Sequence, residues 1–170
     1  MKRLFLLRHA KSSWDEPGLS DHDRPLAPRG VRATAVMAGH LRSEAIAPEL
    51  VLCSSAQRTR ETLEGIRDAL GPDFVEEIER DLYAASAEHL LERVRAVDDA
   101  IESVMLIGHN PGIESLALVL AGSGDKLEAM ERKFPTGALA TLVFDGRWRR
   151  LKPGAAELID FVTPKELARR

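Results

Sequence analysis

Two histidines in this chain stand where apolar runs stop. Leu4-Phe5-Leu6-Leu7 leads directly into Arg8-His9, and Val104-Met105-Leu106-Ile107 leads into Gly108-His109-Asn110-Pro111-Gly112. A short run that is apolar at every residue reads as a strand buried on both faces. The carboxyl end of such a strand is where open α/β sheets hold their ligands. Arg8 offers a permanent planar cation there, and His9 offers a ring nitrogen able to accept a proton or a phosphoryl group. Either histidine alone reads better as a polar strand cap. Two of them at one end of one sheet, with an arginine alongside, point to an anion site, because gathered cations need a compensating negative charge. Phosphate is the anion expected.

A third run, Leu50-Val51-Leu52-Cys53, passes into Ser54-Ser55-Ala56-Gln57-Arg58-Thr59-Arg60-Glu61-Thr62. This reads as a strand followed at once by a helix, so Arg58 falls in the first turn, where unpaired backbone N–H groups already favour an anion. A guanidinium there can fork two phosphate oxygens. Arg60, two residues on, points to another side of the helix, and either arginine could instead form an exposed pair such as Arg60 with Glu64. Asn110 can bind substrate or cap the following helix, and its position favours capping. Arg8, His9, Arg58 and His109 thus make the expected cup. They lack metal-ligand spacing, and a zinc set of His9, His109 and Asp21 would be opposed by the neighbouring arginines. His22, His40 and His89 carry no partner signal and are read as surface or structural.

These residues need a scaffold, and composition supplies the limits. The chain has 170 residues, 44% hydrophobic and 30% charged, with net charge −3, which suits one soluble domain spanning 1–170. With a pI of about 6.0 there is no global basic field for nucleic acid or membrane. One cysteine, Cys53, excludes an internal disulfide, and its place in an apolar run reads as an inert buried thiol. A strand opening within three residues leaves no expected room for a signal peptide, and no apolar stretch reaches the ~18 residues of a membrane span, so a cytoplasmic location is expected.

Helical spacing is expected from Gly30 to Ala45 with its start near Pro28, from Ser55 or Ala56 to Leu70, from the N-cap Ser86 to Ala100, and from Pro111 to Ala121. The stretch 74–78 is a weaker strand. Ala138 to Phe144 is strongly apolar, and Asp145-Gly146 before Arg147-Trp148 is a hairpin signal. The expected fold is an α/β three-layer sandwich: a mostly parallel central sheet flanked by helices, with an antiparallel C-terminal hairpin at its edge.

Arg8-His9-Ala10 after the first strand, Arg58 with Thr62 in a Ser-rich turn, and His109 in a Gly-His loop together resemble the histidine phosphatase superfamily, which contains cofactor-dependent phosphoglycerate mutase. Asp21-His22-Asp23-Arg24-Pro25-Leu26, Leu82-Tyr83 and Phe134-Pro135-Thr136-Gly137-Ala138 are similar to its small SixA-like, phosphohistidine phosphatase branch. The resemblance implies a phosphatase without metal or other cofactor that passes the phosphoryl group through His9. Arg8, Arg58 and His109 would hold the phosphoryl oxygens. The implied substrate is phosphohistidine in a protein. Alternatives are a small phosphorylated metabolite or a phosphate-binding module without turnover, and the choice between monomer and homodimer stays open.

The departures carry information too. Mutase-like members have Gly, Glu and Thr after the first histidine, where this chain has Ala10, Lys11 and Ser12. They also place a glutamate acid ahead of the third helix, whereas Leu82-Tyr83-Ala84-Ala85-Ser86 has none. Asp21 is the expected acid in its stead, with Asp23 second; an ordinary turn-capping carboxylate is the competing reading of Asp21. Arg24 would bind that carboxylate or line the mouth.

Overall fold

The first apolar run forms β1 (Lys2–Arg8), and its alternation sets the layers. In the computed structural model, which describes all 170 residues, Leu4 and Leu6 enter one hydrophobic cluster while Phe5 and Leu7 enter another on the opposite face. Side chains two apart on a strand share a face, so a strand apolar at both parities must be covered twice. The other strands are β2 (Leu50–Ser54), β3 (Val75–Glu79), β4 (Ser103–Gly108), β5 (Ala121–Ser123), β6 (Leu139–Phe144) and β7 (Ala156–Val162). They form one sheet in the order β3-β2-β4-β1-β6-β7-β5.

The helices are α1 (Pro28–Ser43), α2 (Gln57–Ile66), α3 (Ala87–Arg95), α4 (Gly112–Leu120), α5 (Leu127–Arg132) and α6 (Pro164–Ala168). Met37 and Leu41 of α1 and Leu63 and Ile66 of α2 cover the Phe5/Leu7 face, together with Leu167 of α6. Leu90, Leu91 and Val94 of α3, Ile113, Leu116 and Leu120 of α4 and Met130 of α5 cover the other. Fully burying each such side chain is worth about 1.5–3 kcal/mol. The three-layer sandwich is as expected, with a parallel half (β3-β2-β4-β1) and antiparallel pairing of β1 with β6 and of β6 with β7.

Three local expectations are corrected. The antiparallel pair does form, but Asp145-Gly146 does not close it directly. Trp148 is pulled fully into the core, its Nε1 donates to the Ile101 carbonyl oxygen at 2.6 Å, and the chain makes a short 3₁₀ turn (Trp148–Arg150) before β7 begins at Ala156. The three-residue β5 then lies on the outer edge of β7. The helix expected to reach Ala100 stops at Arg95, although Val97 stays buried and Ile101 still packs on the core. The helix expected to reach Leu70 is α-helical only to Ile66 and tightens to 3₁₀ over Arg67–Leu70.

Register is what positions the site. In the parallel pairing Arg8 lies opposite Gly108, and Cys53 lies opposite Ile107. The next residues of three neighbouring strands, His9, His109 and Ser54, therefore leave the sheet together at one edge. On the other side of β1 the Gly137 N–H donates to both the Arg8 and His9 carbonyl oxygens, at 3.0 and 2.9 Å, which fixes the backbone under the first histidine.

Candidate active site

His9 is 7% exposed and sits at the β1 carboxyl end. Its Nδ1 lies 2.7 Å from the Ala10 carbonyl oxygen. A carbonyl can only accept, so Nδ1 carries the proton and the Nε2 lone pair is left free. Burial, and after it the nearby Arg58 and Arg8 charges, lowers the His9 pKa to about 4 despite the Ala10 hydrogen bond. A ring with that pKa is neutral at physiological pH, with Nε2 left as its basic nitrogen.

His109 follows β4, its ring centroid 5.3 Å from that of His9. Nε2 is 2.7 Å from the Ser54 hydroxyl, while Nδ1 is buried without a partner. Burial, then Arg58 and His9, pushes its pKa down to about 3.

Arg8 donates from Nη1 to the Phe134 carbonyl oxygen at 3.0 Å. Burial lowers its pKa, Glu114 opposes that and Arg58 adds to it. Arg58, in the first turn of α2, is 8% exposed, whereas Arg60 faces out, as the two-residue spacing required. The Arg60–Glu64 pair does not form; Glu64 pairs with Arg67. Thr62, one turn along from Arg58, accepts the Ala10 N–H at 3.0 Å and so ties α2 to the His9 loop.

Asp21 is brought to the same place, where two donors engage its carboxylate. Its carboxylate Oδ2 accepts from Tyr83 Oη at 2.6 Å and from Arg58 Nη2 at 3.0 Å, and its carbonyl accepts from Arg58 Nη1 at 2.7 Å. The Tyr83 hydrogen bond chiefly, with Arg58, holds its pKa below the ordinary carboxylate value. Both donors sit on one oxygen of the carboxylate, so Asp21 bridges Tyr83 and Arg58 and fixes the direction of the Arg58 fork. Arg24 lies 3.9 Å from the Asp21 carboxylate and stacks at 3.8 Å on the ring of Trp14, which is 63% exposed. Asn110 caps as expected: Oδ1 accepts the Glu114 N–H at 3.2 Å, while Nδ2 donates to the Phe134 carbonyl at 3.0 Å.

Sequence reasoning left out several members of this cluster. Tyr83 stands edge-on between His22 and His109, with centroids 4.9 and 5.5 Å away. Ser54 holds His109, and the Phe134 carbonyl holds both Arg8 and Asn110. His22, read as surface or structural, binds Ser55 at the rim. Only the resemblance at Leu82-Tyr83, at Asp21-His22 and at Phe134 hinted at them. Cys53 is fully buried, and burial raises its pKa to about 12, so the thiol is inert as expected. No group of three or more His, Cys, Asp or Glu side chains gathers in metal-binding geometry, and no helix is long and apolar enough to cross a membrane.

The family model of the histidine phosphatase superfamily (branch 1) matches residues 4–144, a span that contains every side chain of the cup. The chain belongs to the histidine phosphatase superfamily. Within it, an uncharacterised protein of Mycobacterium tuberculosis is 39% identical over 94% of this chain and 100% of its own length. A protein of Agrobacterium tumefaciens provisionally assigned as the phosphohistidine phosphatase SixA has a crystal structure that superposes with TM-score 0.83 at 32% identity, covering 96% of this chain and 98% of that one. Phosphohistidine phosphatase SixA of Escherichia coli is 26% identical over 84% of this chain and 86% of its own. The SixA-like branch and its superfamily support phosphatase activity.

Proposed function

We propose that this protein is a metal-independent phosphatase that works through a phosphohistidine on His9 and acts on phosphohistidine in proteins. The observation that carries the reading is the tautomer of His9: Nδ1–H is committed to the Ala10 carbonyl, so the free Nε2 lone pair belongs to a neutral ring at the cup. Nε2 attacks phosphorus in line, and the P–N bond forms as the bond to the leaving group breaks. Arg8, Arg58 and His109 bind the equatorial oxygens, over which charge spreads in the transition state. Water then attacks the phosphorus of the enzyme intermediate, releasing His9 and inorganic phosphate. Positive charge comes from guanidinium groups, so a metal has no role to fill.

The substrate assignment has separate support. The P–N bond of a phosphoramidate is weak once its ring nitrogen is protonated, which suits a site without the glutamate acid of the mutase-like members. Relatives named as phosphohistidine phosphatases match over most of this chain. Trp14, large and exposed beside Arg24, suits a mouth that meets a protein surface better than one that encloses a metabolite.

The test is a panel containing a phosphohistidine-bearing protein domain, aryl phosphates and sugar phosphates, each run with and without chelator. Preferential turnover of the phosphohistidine protein, unchanged by chelator, is expected. Rapid-quench phosphorus NMR or native mass spectrometry should show a phosphoenzyme that is absent from His9→Ala. Faster turnover of sugar phosphates would favour the metabolite reading, and stoichiometric phosphate binding with no turnover would favour the binding module.

A further inference from the structure

The site holds four acid–base candidates near the leaving-group side, and three are disqualified by their partners. Asp21 already accepts hydrogen bonds from Tyr83 and Arg58 on one carboxylate oxygen. Tyr83 gives its proton to the Asp21 carboxylate at 2.6 Å, and that bond raises its pKa. His109 is tied to Ser54 and belongs to the phosphoryl cup. The fourth is His22. Its Nε2 lies 2.9 Å from Ser55 Oγ, and its Nδ1 lies 3.2 Å from Asp23 Oδ1. Asp23 is in turn bound by the Ser20 hydroxyl at 3.1 Å. Carboxylate, imidazole and hydroxyl therefore stand in sequence, the order of a hydrogen-bonded acid–base chain.

Position gives this chain a use. Ser55 directly follows Ser54, the residue that holds His109, and it precedes the α2 turn that carries Arg58. Its own N–H is fixed to the Glu79 carbonyl at 3.2 Å, and its hydroxyl has no protein partner except His22. The His22 ring packs edge-on against Tyr83, which packs edge-on against His109, so His22 backs the wall of the cup while Ser55 stands next to the Ser54 that holds His109.

We infer that Ser55, His22 and Asp23 form a proton relay to the leaving atom, deepening and resting on the phosphatase reading above. In the first step the electron pair of the breaking P–O or P–N bond goes to the leaving atom, which takes the Ser55 hydroxyl proton. Imidazolium His22 returns a proton to Ser55 from Nε2 and becomes neutral, with Asp23 holding Nδ1–H. In the second step water attacks phospho-His9, and its proton passes through Ser55 to His22. The relay is restored, and no oxidant or further reactant is needed. Ser55 meets the reacting atom; His22 and Asp23 act through it.

The experiment compares 4-nitrophenyl phosphate, whose leaving group needs little protonation, with phenyl phosphate, whose leaving group needs much. Variants are His22→Gln, Ser55→Ala and the double, with Asp23→Asn as a milder change, all checked for folding by circular dichroism and thermal unfolding. Loss of a general acid costs about 10²–10⁴-fold. In His22→Gln and Ser55→Ala the kcat/KM for phenyl phosphate should fall at least ~10-fold further than that for 4-nitrophenyl phosphate. The double variant should be no worse than either single one.

Equal losses on both substrates, or none, with phosphorylation of His9 intact, would overturn the relay alone. Absence of turnover and of phosphorylated His9 in the wild type would overturn the relay together with the reaction it serves.

Discussion

The neutrality that the proposed role of His9 requires has a cost that can be measured without any substrate. Both site histidines are buried, with pKa values lowered from 6.5 to about 4 for His9 and about 3 for His109. In the unfolded chain both rings return to the ordinary value and take up protons below it. The unfolded state thus binds more protons than the folded state across this interval, so stability falls as pH drops from about 6.5 toward 4 and is unaffected above about 7. Between pH 7 and pH 5 each ring contributes a loss of about 2 kcal/mol, or about 4 kcal/mol for the pair. For a chain of this size that is roughly 8–16 °C in Tm.

The assay is urea unfolding at both pH values for the wild type and for a His9→Gln/His109→Gln double variant, whose amides do not titrate. The wild type should lose about 4 kcal/mol more than the variant over that interval. Inorganic phosphate should return part of the difference, because a bound dianion raises both proton affinities. If the double variant loses as much stability as the wild type between pH 7 and pH 5, the two rings are not the buried neutral groups described above.

Arg8→Ala, Arg58→Ala and His109→Ala should each reduce kcat/KM at least ~10²-fold, the scale for removing one electrostatic stabiliser, while His9→Ala should abolish phosphoenzyme formation in a rapid-quench assay. Asp21→Asn should cost about ten-fold through looser placement of Arg58, by the same amount on aryl phosphates with good and poor leaving groups, since orientation and not proton donation is lost; a steeper leaving-group dependence would restore Asp21 as the acid. A Cβ at Gly112 would collide with the Ala85 carbonyl oxygen, so Gly112→Ala should destabilise the fold by roughly 1–3 kcal/mol and displace the segment carrying Tyr83, read by denaturant unfolding and by altered phosphate affinity.

The layers of this fold were legible because they depend on local patterns. The runs ending in Arg8, Cys53 and Ile107 are apolar at both parities, which only a doubly covered strand requires, and α1 opens at Pro28 where proline tolerates a helix start. The exit of His9 and His109 from neighbouring strands followed from the same runs. What failed was decided far along the chain. Asp145-Gly146 is a sound turn signal, yet the hairpin was deferred because the core captured Trp148 through Ile101, 47 residues earlier. Apolar spacing ran on through Val97 and Ile101 without helix, since burial asks only for a face and not for a particular backbone. Asp21 was expected at the site, but its hydrogen-bond partner Tyr83 lies 62 residues away, and His22 acquires a partner only because Ser55, 33 residues on, folds back beside it.

One short loop of the molecule decides how the cup is held. The carbonyl of Phe134 is shared by Arg8 and Asn110, and three residues further on Gly137 grips the backbone of Arg8 and His9. The N-terminal strand thus takes its final alignment from a stretch translated more than a hundred residues later. A protein engineer seeking altered turnover should therefore randomise 133–138 before the catalytic side chains, and a fragment ending ahead of that stretch, however well its parallel strands associate, would carry the nucleophile without the clasp that aims it.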